Sequence, residues 1–211
     1  MDEAHWQECL ATVARAEPRP QFIVASGSLP PGVPDDLFGR IAGIARTMDA
    51  KAIVDASGPS LISALKEGCY LIKPNLREFR TLTGIDSADE TALIEAGLAL
   101  IRQGRTEAIA LTLGHQGALL IARECVLRAD PLPIEAASVV GAGDSFLGAM
   151  VWSLTQNQSL ESALRYGAAA GAAALLSPGT ELCLPEDVMR LLPQVVVRPI
   201  SPAGGSPAGS R

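Results

Sequence analysis

Short apolar runs alternate along this chain with longer segments whose apolar residues recur at helical spacing, and that alternation restricts the fold more than any other feature. Phe22-Ile23-Val24-Ala25, Ala52 to Asp55, Tyr70 to Lys73 and Ala108 to Thr112 read as strands. Between and before them, Trp6/Leu10/Val13, Leu37/Ile41/Ile44/Met48, Leu61 to Lys66 and Leu93 to Gln103 read as helices. Pro18 and Pro20 stop the first helix, and Gly104 suits the residue after the fourth. Between Gly117 and Ala129 two strand-like runs lie close together and predict a hairpin. Two helices follow, Asp144 to Leu154 and Leu160 to Leu176, the second opened by Ser159 as N-cap. Pro185 opens a short helix over Glu186 to Leu192. The pattern predicts an α/β fold with a mostly parallel sheet covered on both faces. Ligands of such sheets gather outside the carboxyl ends of the strands. From Arg198 the chain is Pro/Gly/Ser/Ala without periodicity, so residues 1–197 are expected to form the folded portion and 198–211 a disordered tail.

A length of 211 residues suits one domain. Seventeen basic against 23 acidic residues leave a net charge of −6, which repels polyanions and argues against nucleic acid or a membrane surface as partner. Eight aromatic residues offer few platforms for base stacking. The longest uncharged small-apolar run, Gly167 to Leu176, is too short to span a bilayer. The acidic Met1-Asp2-Glu3 start is unlike a secretory signal, and a cytoplasmic protein is expected. Cys9, Cys69, Cys125 and Cys183 form no CxxC, and only His5 and His115 accompany them. Reduced, buried thiols are therefore expected rather than a zinc cage.

Four strand-end loops carry the chemistry. In Val139-Val140-Gly141-Ala142-Gly143-Asp144-Ser145 an apolar approach runs into a helix. Its glycines let an anion approach the backbone, and the first helical N–H groups lack internal partners. Asp144 stands where the helix dipole favours negative charge. A carboxylate beside such an anion hole suits hydroxyl attack on a phosphoryl group; taken alone, the same residues equally suit a simple helix cap. The spacing is neither GxGxxG nor a P-loop. In Lys73-Pro74-Asn75-Leu76-Arg77-Glu78, Asn75 and Glu78 share one face of a turn and suit a magnesium ion that keeps its waters. Lys73 supplies a point charge for phosphates, although a surface lysine and a helix-start glutamate are the commoner meaning of these residues. Thr112-Leu113-Gly114-His115-Gln116-Gly117-Ala118 ends a strand in a glycine turn, with backbone amides for a nucleotide or merely a β-turn, and His115 is expected to face solvent. Ser26 to Gly32 is a proline-stiffened loop in which Ser28 can hydrogen-bond a polyol.

The order of these motifs, SGSLPPG, KPNxxE, TLGxxGA, VVGAGDSF and AAAGAAALLSPGT, resembles the ribokinase/PfkB family of carbohydrate kinases, nearest to its bacterial minor 6-phosphofructokinase type. The resemblance runs from the first strand to Leu192 and implies a ribokinase-like three-layer α/β/α fold. It implies Asp144 as the base, Gly141, Ala142 and Gly143 as the anion hole, and Asn75 and Glu78 as organisers of Mg²⁺ through water. Lys73 would meet the nucleotide phosphates, and Thr112, Gly114 and Gly117 would line the ATP site. Ser138, Val140, Ala168 and Ala172 would surround adenine, and Ser28 would touch the sugar phosphate. Ser138, Val140, Ala174 and Gly179 match the segment holding a monovalent cation, potassium, in family members. The N-terminal strands, the β lid and the sugar-recognition motif of the family lie before the position matching Met1 and are expected to be missing.

The implied reaction is ATP-dependent phosphorylation of fructose 6-phosphate, with a homodimer in the full-length form. A 1-phosphofructokinase or tagatose-6-phosphate kinase is the sister reading. A truncated ATP-binding remnant or interaction module is the reading of another class.

Overall fold

The computed structural model describes residues 1–135, 138, 140–178 and 182–200. The described residues form eight α-helices and seven strands: α1 (Glu3–Ala14), β1 (Phe22–Ser26), α2 (Leu37–Thr47), β2 (Lys51–Asp55), α3 (Gly58–Glu67), β3 (Cys69–Ile72), α4 (Leu76–Thr83), α5 (Glu90–Arg102), β4 (Thr106–Thr112), β5 (Ala118–Ala122), β6 (Val126–Ala129), α6 (Ala142–Thr155), α7 (Leu160–Ala174), α8 (Pro185–Leu191) and β7 (Val197–Pro199). The seven strands form one sheet in chain order. β1 to β4 pair in parallel, and β5, β6 and β7 continue as an antiparallel meander. The parallel part is thus confined to the first four strands, because the hairpin after β4 reverses the chain without a crossover helix.

Side chains of alternate strand residues divide the core in two. Val54, Ile72, Ile109, Leu111, Leu119 and Ile121 face a layer that includes Leu37, Phe38, Leu61, Phe79 and Leu93. Ile53, Leu71, Ala108, Ala110 and Leu120 face Phe146, Leu147 and Met150 of α6 and Leu164 of α7. The three-layer α/β/α architecture follows from this alternation, since both faces of the central strands are apolar. The α6–α7 layer meets many alanines, and glycines on α7 bring the two helices together. A Cβ at Gly167 would lie 2.7 Å from Met150 Cγ and 3.1 Å from the Phe146 carbonyl oxygen.

Three expectations change. Val197–Pro199 pairs with β6, and the Ile200 amide donates to the Val126 carbonyl at 2.8 Å, so the boundary drawn at Arg198 moves beyond Ile200; residues 201–211 lie outside the described residues. The segment after Pro74 is a full helix, α4, rather than one turn. It is only eight residues long, so Leu76, Phe79 and Leu82, which pack on the core, are too few to establish a helical period. All four cysteines are free, with Cys69 buried and Cys9 exposed, so burial is not common to them. Among the described residues no helix is long and apolar enough to cross a membrane.

Candidate active site

The carboxyl ends of β2 and β3 lie side by side, with Val54 opposite Ile72. The next residues, Asp55 and Lys73, meet in an ion pair of 3.0 Å between Oδ2 and Nζ. Lys73 is only 5% exposed, and a buried ammonium needs such a counter-charge. Burial pushes the Asp55 carboxyl above the ordinary carboxylate value; Lys73 opposes that rise, and the charges of Glu78 and Asp144 add to it. Those influences place Asp55, Lys73, Glu78 and Asp144 in one electrostatic neighbourhood. Asp55 escaped the reading of the motifs. Its signal was an acidic residue closing an apolar strand run at the end where ligands gather.

Asn75 and Glu78 close a reciprocal capping box. The Asn75 side chain accepts from the Glu78 amide at 2.9 Å, and Glu78 Oε2 accepts from the Asn75 amide at 2.9 Å. This geometry fixes the first turn of α4 and uses one Glu78 oxygen in the box. Among the described residues no three His, Cys, Asp or Glu side chains converge as direct metal ligands. The donor set fits a magnesium ion that keeps its waters and bridges to phosphates, and not a caged ion.

Gly141 is the N-cap of α6 with φ 78°, a left-handed conformation that glycine takes without strain. Ala142, Gly143 and Asp144 are therefore the first three helical residues, and the Ser145 amide is the first to donate within this turn, to Gly141 at 2.9 Å. The helix begins two residues earlier than its periodicity suggests. Asp144 is exposed in the first turn. A Cβ at Gly143 would lie 3.3 Å from Lys73 Nζ, so the missing side chain lets the lysine approach the helix N-terminus. Buried Ser145 accepts from the Cys183 amide at 3.4 Å, tying the chain after α7 to this turn.

Thr112 ends β4, and its amide donates to the Pro74 carbonyl at 3.1 Å, joining the third loop to the second. Gly114, His115 and Gln116 form a 3₁₀ turn closed by a 2.8 Å bond from the Leu113 amide to Gly117. His115 is exposed, as expected. Ala168 and Ala172 pack around Ala169, Ala173, Leu191 and Val195 with Leu132 and Ile134, which gives small residues an apolar neighbourhood at that end of α7. The Ser138 amide donates to the Leu175 carbonyl at 3.4 Å, and Val140 to the Ser138 hydroxyl at 3.2 Å. These bonds bring Ser138 and Val140 to the end of α7 that holds Ala174; Gly179 lies outside the described residues. Ser28 is exposed on the loop after β1, which starts beside the site through a 2.9 Å bond from the Gly27 amide to the Asp55 carbonyl.

Residues 4–187 match the pfkB family carbohydrate kinases. The chain belongs to that family. It is 41% identical over 187 residues to the ATP-dependent 6-phosphofructokinase isozyme 2 of Mycobacterium tuberculosis (strain ATCC 25618 / H37Rv), a match covering 89% of this chain and 55% of the relative. A D-tagatose-1-phosphate kinase of Bacillus licheniformis is 34% identical over 180 residues, covering 85% of this chain and 59% of the relative. The crystal structure of phosphofructokinase-2 from Escherichia coli in complex with potassium superposes with a TM-score of 0.87 at 34% identity, over 92% of this chain and 63% of that one. The pfkB chain described here therefore spans somewhat more than half the length of the curated relatives it matches.

Proposed function

We propose that this pfkB-family chain carries the catalytic and nucleotide-binding machinery of an ATP-dependent sugar-phosphate kinase, with fructose 6-phosphate as the acceptor. The observation that carries this reading is the convergence of Lys73, Asp55, Glu78 and Asp144 at the N-terminus of α6. Transfer of the γ-phosphoryl group needs positioning and charge stabilisation more than covalent help from the protein. Asp144 accepts the proton of the sugar hydroxyl as its oxygen bonds to γ-phosphorus and the bond to the β,γ-bridging oxygen breaks. ADP leaves, and the proton passes from Asp144 to solvent. The amides of Ala142, Gly143 and Asp144 face the developing charge. Lys73, held by Asp55 beside the same helix N-terminus, adds positive charge for the phosphates. Asn75 and Glu78 would hold a magnesium ion through its waters, and the ion would supply charge neutralisation for the phosphates.

Thr112, Gly114 and Gly117 line the nucleotide in this reading, with Ala168 and Ala172 against adenine and Ser28 toward the sugar phosphate. Ser138, Val140 and Ala174 are the described part of a potassium site. Fructose 6-phosphate is preferred because the 6-phosphofructokinase relative is nearer in sequence than the tagatose-1-phosphate kinase; 1-phosphofructokinase and tagatose-6-phosphate kinase are the sister assignments. A cytoplasmic homodimer is the form expected for the whole enzyme.

The test is ADP release with fructose 6-phosphate, coupled to NADH oxidation, for the unaltered chain and Asp144→Asn. Removing a general base is expected to lower kcat by about 10²- to 10⁴-fold while Mg·ATP binding persists. Equal rates in the two proteins would defeat the assignment of Asp144. A second reading is a module that binds Mg·ATP without turnover. Tight Mg·ATP binding with no Asp144-dependent rate would support it.

A further inference from the structure

Arg128 is the one charged residue of β6, whose Val126, Leu127 and Ala129 are all buried. Its guanidinium is buried with them and spends its donors on four acceptors. Nη1 donates to the Ala129 carbonyl at 3.0 Å and to Ala118 at 3.4 Å, and Nη2 donates to the Gln116 carbonyl at 2.5 Å. Nε pairs with Glu90 Oε2 at 3.0 Å, at the first turn of α5. Burying a guanidinium costs more than burying an apolar side chain of that size, so packing alone gives no reason for it. Its fork fits convergent carbonyls, which a lysine cannot meet in the same plane.

Three of those acceptors gather at one turn and the strand pair beside it. Gln116 closes the 3₁₀ turn after β4, Ala118 opens β5, and Ala129 ends β6. Gly117 lies directly over the guanidinium. A Cβ there would stand 3.0 Å from Nη1 and 2.2 Å from the Ala129 carbonyl oxygen, and its φ of 89° already favours glycine. Gly117 is therefore glycine partly because Arg128 fills the space beneath it. With the Gln116 carbonyl drawn inward to Arg128, Gly114 and His115 lie exposed on the outer side of the turn.

We infer that Arg128, braced by Glu90, is a positioning residue for the nucleotide: it fixes the Gly114–Gly117 turn in the conformation that receives ATP, without touching the phosphates itself. The charge is already committed to Glu90 and the carbonyls, which separates this role from that of Lys73. The inference rests on the proposed nucleotide site at this turn.

The experiment is calorimetric titration of the purified chain with Mg·ATP, together with thermal melting, for Arg128→Met, Arg128→Lys and Glu90→Gln. Arg128→Met is expected to weaken Mg·ATP binding about tenfold, as losing hydrogen bonds from a charged donor does. Arg128→Lys should recover part of that loss, and Glu90→Gln should weaken binding about threefold, consistent with a bracing ion pair. Leu65→Ala, in the buried part of α3, lowers the melting temperature without reaching the turn and should bind Mg·ATP as the unaltered chain does. Unchanged affinity in a folded Arg128→Met protein overturns the positioning role while the nucleotide site stands. If Arg128→Met does not fold, unchanged affinity in Glu90→Gln overturns it equally. A folded, unaltered chain that binds no Mg·ATP overturns the nucleotide site and this inference together.

Discussion

Asp55 and Lys73 show how a single pair sets both stability and chemistry. With Lys73 buried, Asp55→Asn leaves an ammonium without its 3.0 Å partner, and breaking a buried pair in this way is expected to cost about 3 kcal/mol. Lys73→Met should cost less, because the remaining carboxyl can take up a proton. The double variant should regain much of the loss, a coupling that urea unfolding of all four proteins measures. The pair also predicts a pH dependence. Burial raises Asp55 above its ordinary 3.8, so the native state binds more protons than the unfolded chain between that value and the raised one. Stability from this group therefore falls as pH rises through that window and levels off above it. Asp55→Asn should remove that part of the slope; an unchanged slope between the variants would assign it to other carboxyls.

Helices and strands account for how the site is assembled, and α6 and α7 matter most. Gly167 lets α7 sit against Met150 and the Phe146 carbonyl, and this contact fixes where the N-terminus of α6 points. Gly167→Val is expected to destabilise the protein by about 1–3 kcal/mol through overpacking. It should also weaken Mg·ATP binding, because Gly141 to Asp144 move with the helix. Melting and titration of the same variant check both, and a loss of stability with unaltered binding would separate the packing from the site. These elements were legible in sequence to different degrees. Strongly periodic segments such as α7, with the Ser159 side chain accepting from the Ser162 amide as N-cap, needed only local signals. The KPNxxE motif was visible, but its capping box and the helix behind it were not, since α4 is eight residues long and its Leu76, Phe79 and Leu82 are too few to set a period. β7 was hidden because its residues pair through backbone at a sheet edge, where Pro199 and Arg198 are tolerated. Asp55 and Arg128 were invisible for a different reason. Each acts through a partner more than fifteen residues away in the chain, and no spacing rule connects Asp55 to Lys73 or Arg128 to Glu90.

At the scale of the whole molecule, the sheet is finished unequally at its two ends. β7 is three residues long and carries Arg198 and Pro199, features that blunt an edge against pairing. β1 is the opposite edge, five residues of Phe-Ile-Val-Ala-Ser paired on one side with β2. Val24 there is 44% exposed, and Phe22 is half-buried beside Tyr70 on the same sheet face. Lys51 reaches over both rings, 4.3 Å from the Tyr70 centroid and 5.9 Å from that of Phe22, and is the cation that covers this end of the edge. Exposed backbone donors and acceptors next to uncovered apolar side chains favour association through strand pairing. The net charge of −6 opposes it only weakly once salt screens beyond about 8 Å. Sedimentation of this chain at rising concentration is therefore expected to show association that strengthens with salt. Val24→Lys places a second charge on the edge and should shift the distribution toward monomer, while leaving the melting temperature nearly unchanged because the side chain is already in contact with water. Association that is indifferent to Val24→Lys would move the contact away from β1. The next surface to test would then be the exposed Leu184, Met189 and Val196 around α8, where Met189→Lys serves the same purpose.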